Sequence, residues 1–156
     1  MKKYEQISEN CKIWWGDNID FTTKVYSQVS GYIFNEKNQL LIVKTGENWT
    51  IPGGHPEANE KPIETLKREV MEETSITIKN INYLGAVEVV ENSKKYYQLR
   101  YTAKVNRVLP FKKEWETTDR LFVDLIDLHE YIKWSNGVTF SKQIESAKKF
   151  WNITIP

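Results

Sequence analysis

From Val25 to Phe34 the chain alternates apolar and polar positions, with Val25, Val29 and Ile33 on one side, the spacing of a strand. The polar turn Asn35-Glu36-Lys37-Asn38 separates it from Leu40-Leu41-Ile42-Val43, an apolar run suited to a strand buried on both faces. The pair reads as a β-hairpin. Trp49-Thr50-Ile51 is a third short strand, stopped by Pro52-Gly53-Gly54. The period then changes. Ile63, Leu66 and Val70 recur at helical steps from Pro62 to Thr74, and Pro62 suits a first helical turn, where its missing N–H is not needed.

Ile76 to Val90 predicts one or two extended segments. Tyr97, Leu99, Tyr101, Ala103 and Val105 alternate with Gln98, Arg100, Thr102 and Lys104, which predicts a half-buried strand with its polar side in solvent. Leu121-Phe122-Val123 is another strand, and Leu125 to Ile132 a short helix. A last helix from Thr139 to Trp151 lines up Phe140, Ile144, Ala147 and Trp151. Strands, a helix, more strands and closing helices predict an α+β domain, a mixed sheet with helices packed over it.

Composition narrows the picture. The 156 residues fit one domain, 1–156, with residues 1–23 an N-terminal extension whose Trp14-Trp15 could form a strand, a lid or an oligomer contact. With 22 basic and 21 acidic residues the chain lacks the concentrated positive charge of an extended nucleic-acid binder. It has no apolar run of membrane-spanning length. The expectation is a cytoplasmic protein, a monomer or homodimer. Cys11 stands alone and offers neither a disulfide nor a cysteine-rich zinc site.

The chemistry concentrates between Gly53 and Glu73. On a helix, Glu69, Glu72 and Glu73 group together, while Leu66 and Val70 turn towards the sheet. Most acidic helices are only solvated faces. Here the crowding coincides with a glycine turn, whose backbone can approach an ion or a phosphate closely. A hard divalent cation with oxygen ligands would relieve the repulsion. Arg68 can grip one glutamate through two hydrogen bonds. Glu60, just before the helix, can cap its free N–H groups.

This stretch resembles the Nudix box, which runs Gly, five residues, Glu, seven residues, then Arg-Glu-apolar-x-Glu-Glu-x-Gly-apolar. Gly54, Glu60, Arg68, Glu69, Val70, Glu72, Glu73 and Ile76 match in register. Ser75 replaces the last glycine, whose positive φ would strain it by roughly 1 kcal/mol.

The resemblance implies an α/β/α sandwich and a pyrophosphohydrolase that uses Mg²⁺, with Mn²⁺ able to substitute. It implies Glu69 and Glu73 as principal metal ligands, Glu72 as a further one, and the Gly53 carbonyl as an additional ligand. Arg68 would orient the glutamates, and Glu60 would hold the loop to the helix. Water would attack phosphorus in a nucleoside triphosphate or nucleoside diphosphate derivative. The general base stays open between Glu69, Glu73 and the later loop residues Glu114 and Glu116.

Trp115, Glu116 and His55 are candidate substrate contacts, and Tyr96, Tyr97, Tyr101, Trp14 and Trp15 are further faces on which a base could stack. Asn92 and Lys94 stand where relatives carry a proline with ADP-ribose hydrolysis or a tyrosine with dinucleoside polyphosphate hydrolysis. Two alternatives compete: a non-catalytic nucleotide-binding sensor on the same fold, and an isoprenoid diphosphate isomerase, which would need a reactive cysteine.

Overall fold

The computed structural model describes residues 1–113 and 116–154. A hairpin of β1 (Glu5–Ser8) and β2 (Cys11–Asp17) comes first. Next are β3 (Tyr26–Phe34), β4 (Leu40–Thr45), β5 (Asn48–Thr50), β6 (Gly53–Gly54) and helix α1 (Pro62–Thr74). The long strands β7 (Ile76–Glu91) and β8 (Lys94–Val108) precede β9 (Thr117–Val123). A 3₁₀ turn (Leu125–Asp127) leads into α2 (Leu128–Tyr131), and a second (Lys133–Asn136) into α3 (Val138–Trp151).

The strands form one mixed sheet in the order β1-β2-β7-β8-β3-β4-β5, with β6 added to β3 and β9 to β4. Only β3 and β8 run parallel among these pairs. Each sheet face carries its own core. On one, Leu66 and Val70 of α1 pack with Val29, Ile33, Leu41 and Leu99. On the other, Phe140 and Ala147 of α3 pack with Tyr32, Ile42, Val87 and Leu128. The result is the α/β/α sandwich.

Several expectations change in detail. Val25 is exposed and precedes β3, and Ile63 is exposed on α1, where Thr65 and Thr74 fill the buried face instead. The segment from Ile76 is one strand, carried past β8 by three register shifts. Trp14 and Trp15 belong to β2, the added strand beside β7.

The expected half-buried strand is buried on both faces. Tyr97, Leu99 and Tyr101 lie in the α1 core, while Arg100 and Thr102 are covered on the α3 side. Thr102 donates to the Tyr32 carbonyl at 2.7 Å and accepts from the Trp151 indole at 2.7 Å. A polar alternation therefore marks a second covered face here, because its polar groups find partners in β3 and α3.

The β3–β4 hairpin is also looser than its pattern. The two strands pair at Phe34 and Leu40 and then separate. β4 continues beside β9, while Val29 and Ser30 of β3 take Gly54 and Gly53 as partners. That separation admits the glycine turn into the sheet, directly beside α1.

Candidate active site

Glycine is required at this insertion. A Cβ on Gly53 would overlap the Val29 carbonyl and the Ser30 side chain. A Cβ on Gly54 would stand 2.5 Å from the carboxyl carbon of Glu69. The turn thus lies between a strand and an acidic helix with no room for any side chain. The Gly53 N–H donates to Glu73 Oε1 at 2.8 Å, joining turn to helix.

Arg68 organises the remaining acids. Its Nε and Nη2 donate to the two oxygens of Glu60 at 2.7 and 3.0 Å, so the two-point grip falls on Glu60. Nη1 reaches Glu69 at 2.9 Å and Glu72 at 3.3 Å, Nη2 also binds the His55 carbonyl, and Glu57 lies 3.7 Å from Nε. Glu60 does not cap the helix. The residue at that position is Lys61, without a side-chain cap, and Glu60 accepts instead from the Glu57 N–H and the Thr65 hydroxyl. Bonds from Arg68, Glu57 and Thr65 hold the Glu60 carboxyl down at about 2.

The other acids behave oppositely. Burial pushes Glu73 up to about 7, with the charges of Glu69, Glu72 and Glu116 adding to it and the Gly53 N–H opposing. Burial also raises Glu69, against the pull of Arg68. Among the described residues, no three His, Cys, Asp or Glu side chains converge as a metal cage, since Arg68 draws Glu69 and Glu72 while Glu73 turns to Gly53. The donor set still fits a hard divalent cation. It is all oxygen, it stands against a turn with no side chains, and the raised carboxyls mark a place where added positive charge is favourable.

Ser75 ends α1 in the left-handed conformation at φ 57°, as the glycine it replaces would. Its hydroxyl also accepts from the Lys112 N–H at 3.2 Å, and its carbonyl from the Leu109 N–H at 3.0 Å. The Thr117 hydroxyl donates to the Glu73 carbonyl, and Arg120 bridges the Thr74 and Leu109 carbonyls. The chain entering β9 is thereby fastened to the end of the acidic helix, bringing Glu116 into the field of Glu73. Glu114 and Trp115 lie outside the described residues.

His55 is exposed, and its Nδ1 donates to the Ser27 carbonyl at 2.5 Å, so its ring is tied to the start of β3. Tyr97, Tyr101 and Trp15 are core residues. Trp14 faces a groove beside α3, and Tyr96 lines a cavity.

That cavity, of about 460 Å³, lies on the α3 side of the sheet and reaches Ser30 and Ile51 beside the glycine turn. Cys11 also lines it, and burial and the charge of Glu91 push its thiol up and away from the reactive thiolate. Arg100, Gln28, Gln98 and Gln143 line the same cavity. None was singled out from sequence. The signal was present in the polar phase of β8, and only the burial under α3 gives it meaning.

Fold and site together define an α/β/α protein with an acidic helix set against a glycine turn and a ligand-sized cavity beginning beside that turn. A family model described as the NUDIX domain matches residues 26–140. The chain belongs to the NUDIX domain family, and its enzyme class is that of a Nudix-type hydrolase.

Solved structures share the fold. The Bacillus subtilis pyrophosphohydrolase BsRppH aligns with a TM-score of 0.81 at 16% identity, over 97% of this chain and 99% of that one. A NUDIX hydrolase from Nitrosomonas europaea gives 0.67 at 19%, over 85% and 93%. The NUDIX domain of Shewanella oneidensis NrtR, solved with ADP ribose, gives 0.63 at 19%, over 86% and 94%. Curated protein sequences yield no match.

Proposed function

We propose that this protein hydrolyses a diphosphate linkage in a nucleoside triphosphate or a nucleoside diphosphate derivative, using Mg²⁺, with Mn²⁺ able to replace it. The carrying observation is the crowding of Glu69, Glu72 and Glu73 against the Gly53-Gly54 turn, with the Glu73 carboxyl pushed up to about 7. A bound divalent cation would supply charge neutralisation for phosphate oxygens and a more acidic water. Glu69, Glu72, Glu73 and the Gly53 carbonyl are the groups that would hold it.

Arg68 is a positioning residue that sets the carboxylates, and Glu60 anchors the loop to Arg68. The general base lies among Glu69, Glu73, Glu114 and Glu116, and the charges of Glu69 and Glu116 act on Glu73. The cavity opening at Ser30 is the place for the rest of the nucleotide. The solved relatives named as a pyrophosphohydrolase and as an ADP-ribose complex support nucleotide chemistry.

A panel of nucleoside triphosphates, sugar nucleotides and dinucleotides, assayed with Mg²⁺ and Mn²⁺ for released phosphate or pyrophosphate, tests this reading. Glu73→Gln keeps the size and removes the charge, and should lower turnover by at least ~100-fold without unfolding the protein, judged against ~10–100-fold effects of groups outside a metal's immediate ligands. Nucleotide binding without turnover on any member of the panel would instead establish the sensor.

A further inference from the structure

Arg100 is a buried cation held without a counter-ion. It is 6% exposed, and none of the described carboxylates pairs with it. Its partners are neutral. Nε donates to Gln143 Oε1 at 3.0 Å, Nη1 to Gln28 Oε1 at 3.2 Å and the Leu99 carbonyl at 3.3 Å, and Nη2 to Gln98 Oε1 at 3.1 Å. Burial lowers its pKa from the ordinary arginine value, yet a guanidinium remains charged in proteins. Burying such a charge is costly unless it is paired.

The consequence lies in the glutamines. A guanidinium only donates, so each amide must present its oxygen to it. Their amino groups are then the ends left over. The Nε2 atoms of Gln28, Gln98 and Gln143 donate to no described residue. They are not sealed orphans either, since Ser135 Oγ alone is a buried, unpartnered side-chain atom among the described residues. Tyr32 donates its hydroxyl to Gln143 Oε1 at 2.7 Å and reinforces that orientation. Arg100 and the three glutamines line the cavity. Its walls near them include Ile51, Val87, Val89, Phe140 and Trp134, apolar surface suited to a flat ring.

The position suits a base rather than a phosphate. Arg100 sits opposite Ser30 in the β8–β3 register, and Ser30 opposite Gly53. Two strand spacings, roughly 10 Å, separate the backbone of Arg100 from the turn beside Glu73. A substrate with its diphosphate at the acidic helix would reach Arg100 with its other end. This inference rests on the hydrolase reading for which end of the nucleotide lies where.

We propose that Arg100 is a specificity-determining residue, which fixes the amides of Gln28, Gln98 and Gln143 so that the cavity offers hydrogen-bond donors. It selects bases with a carbonyl at the ring edge, as in hypoxanthine, guanine and uracil, over bases with an exocyclic amine there, as in adenine and cytosine. Where the base edge meets the three amides, their N–H groups satisfy an exocyclic carbonyl oxygen and leave an exocyclic amine facing another donor, while Glu5, which also lines the cavity, accepts from the Thr139 N–H.

Inosine and adenosine triphosphates differ only along this ring edge, in the exocyclic carbonyl or amine and in the adjacent N–H or bare nitrogen, so their ratio reads which edge the amides accept. The protein should show kcat/KM at least ~10-fold higher for inosine triphosphate, with uridine over cytidine triphosphate in the same direction. Arg100→Met should bring the inosine-to-adenosine ratio near one, because the amides are then free to turn. A defect that is merely structural would lower both substrates together and keep the ratio. Gln98→Met, at a half-buried position, should also reduce the ratio and serves if Arg100→Met does not fold.

A wild-type ratio at or below one, or a ratio unmoved in the folded variants, overturns the proposal. Calorimetric binding of inosine and adenosine monophosphates without metal separates it from the hydrolase reading. Tighter inosine binding in a protein that turns over no nucleotide upholds the base selection while the hydrolase reading falls. Equal binding overturns the selection.

Discussion

Two arginines stand on opposite sides of the same sheet in opposite surroundings. Arg68 has four carboxylates within reach, those of Glu57, Glu60, Glu69 and Glu72. Arg100 has three amide oxygens and a backbone carbonyl. Hydrogen bonding to Glu60 raises the pKa of Arg68, whereas burial lowers that of Arg100. The first arginine organises the acidic site by drawing Glu60, Glu69 and Glu72 to one guanidinium. The second retains its charge with none of the described carboxylates paired to it, although Glu5 lines the same cavity. An ion pair thus marks architecture at one place, and the lack of one marks recognition at the other.

The sharpest way to break the contrast is Arg68→Met. It frees Glu60, Glu69 and Glu72 together, and we expect turnover to fall ~10–100-fold, as when groups orienting metal ligands are lost. The thermal midpoint should fall with it. Steady-state assays beside thermal unfolding would check both, and unchanged turnover would show that Arg68 does not position the glutamates.

Gly54→Ala should come next, with about a tenfold loss. Its Cβ displaces the flexible end of Glu69 while leaving the helix and the sheet in place. Arg100→Met should by contrast lower stability by about 1–3 kcal/mol in urea unfolding, because it leaves the amide oxygens of Gln28 and Gln98 without their donor. Its effect on activity belongs to substrate choice.

Glu88 extends the comparison to a buried acid. It has no solvent exposure and accepts from Lys2 at 2.7 Å, Tyr97 at 2.9 Å and Tyr4. Burial alone would raise its pKa, but these bonds and the Lys2 charge bring it from 4.5 down to about 2. A depressed acid binds fewer protons in the folded state than in the unfolded one. Its stabilisation is therefore complete above about pH 4.5 and lost as the pH falls towards 2. Unfolding midpoints measured across that window should flatten in Glu88→Gln. An unchanged slope would show that the pairing contributes nothing.

The smallest effect is expected at Ser75. Glycine there would relieve the left-handed strain but lose the hydroxyl that accepts from Lys112. The two changes oppose, so Ser75→Gly should shift stability by less than about 1 kcal/mol and leave turnover nearly unchanged. A large loss of activity would mean that fastening the segment before β9 matters to the reaction.

Much of the acidic side was legible beforehand. The helix runs from Pro62 to Thr74 as its period implied, because Leu66 and Val70 supply an apolar stripe and Ser75 a left-handed stop. The box residues are close in sequence, so helical geometry alone brings Arg68 beside Glu69 and Glu72. The grip on Glu60 was partly legible, since a charge-bearing loop before the helix was expected to attach to it. Its choice over Glu69 or Glu72 depended on the fold of residues 57 to 60, where the Glu57 N–H and Thr65 also claim Glu60.

The opposite side was not legible. Gln98, Arg100, Thr102 and Lys104 look like the wet face of a strand, and nothing local distinguishes a polar face covered by a later helix from one in water. Gln28, Gln98 and Gln143 meet around Arg100 only because β3 lies parallel to β8 and α3 crosses above them.

The sequence by itself determined the helix, its acidic register, the glycine turn and the family, since all of these depend on spacings within a few residues. Tertiary structure decided the separation of β3 from β4, the burial of Glu88 and the floor of the cavity. Those depend on which distant strands pair and which faces the last helix covers. Such choices come from the burial and hydrogen-bond needs of the whole sheet, which no short stretch of chain contains.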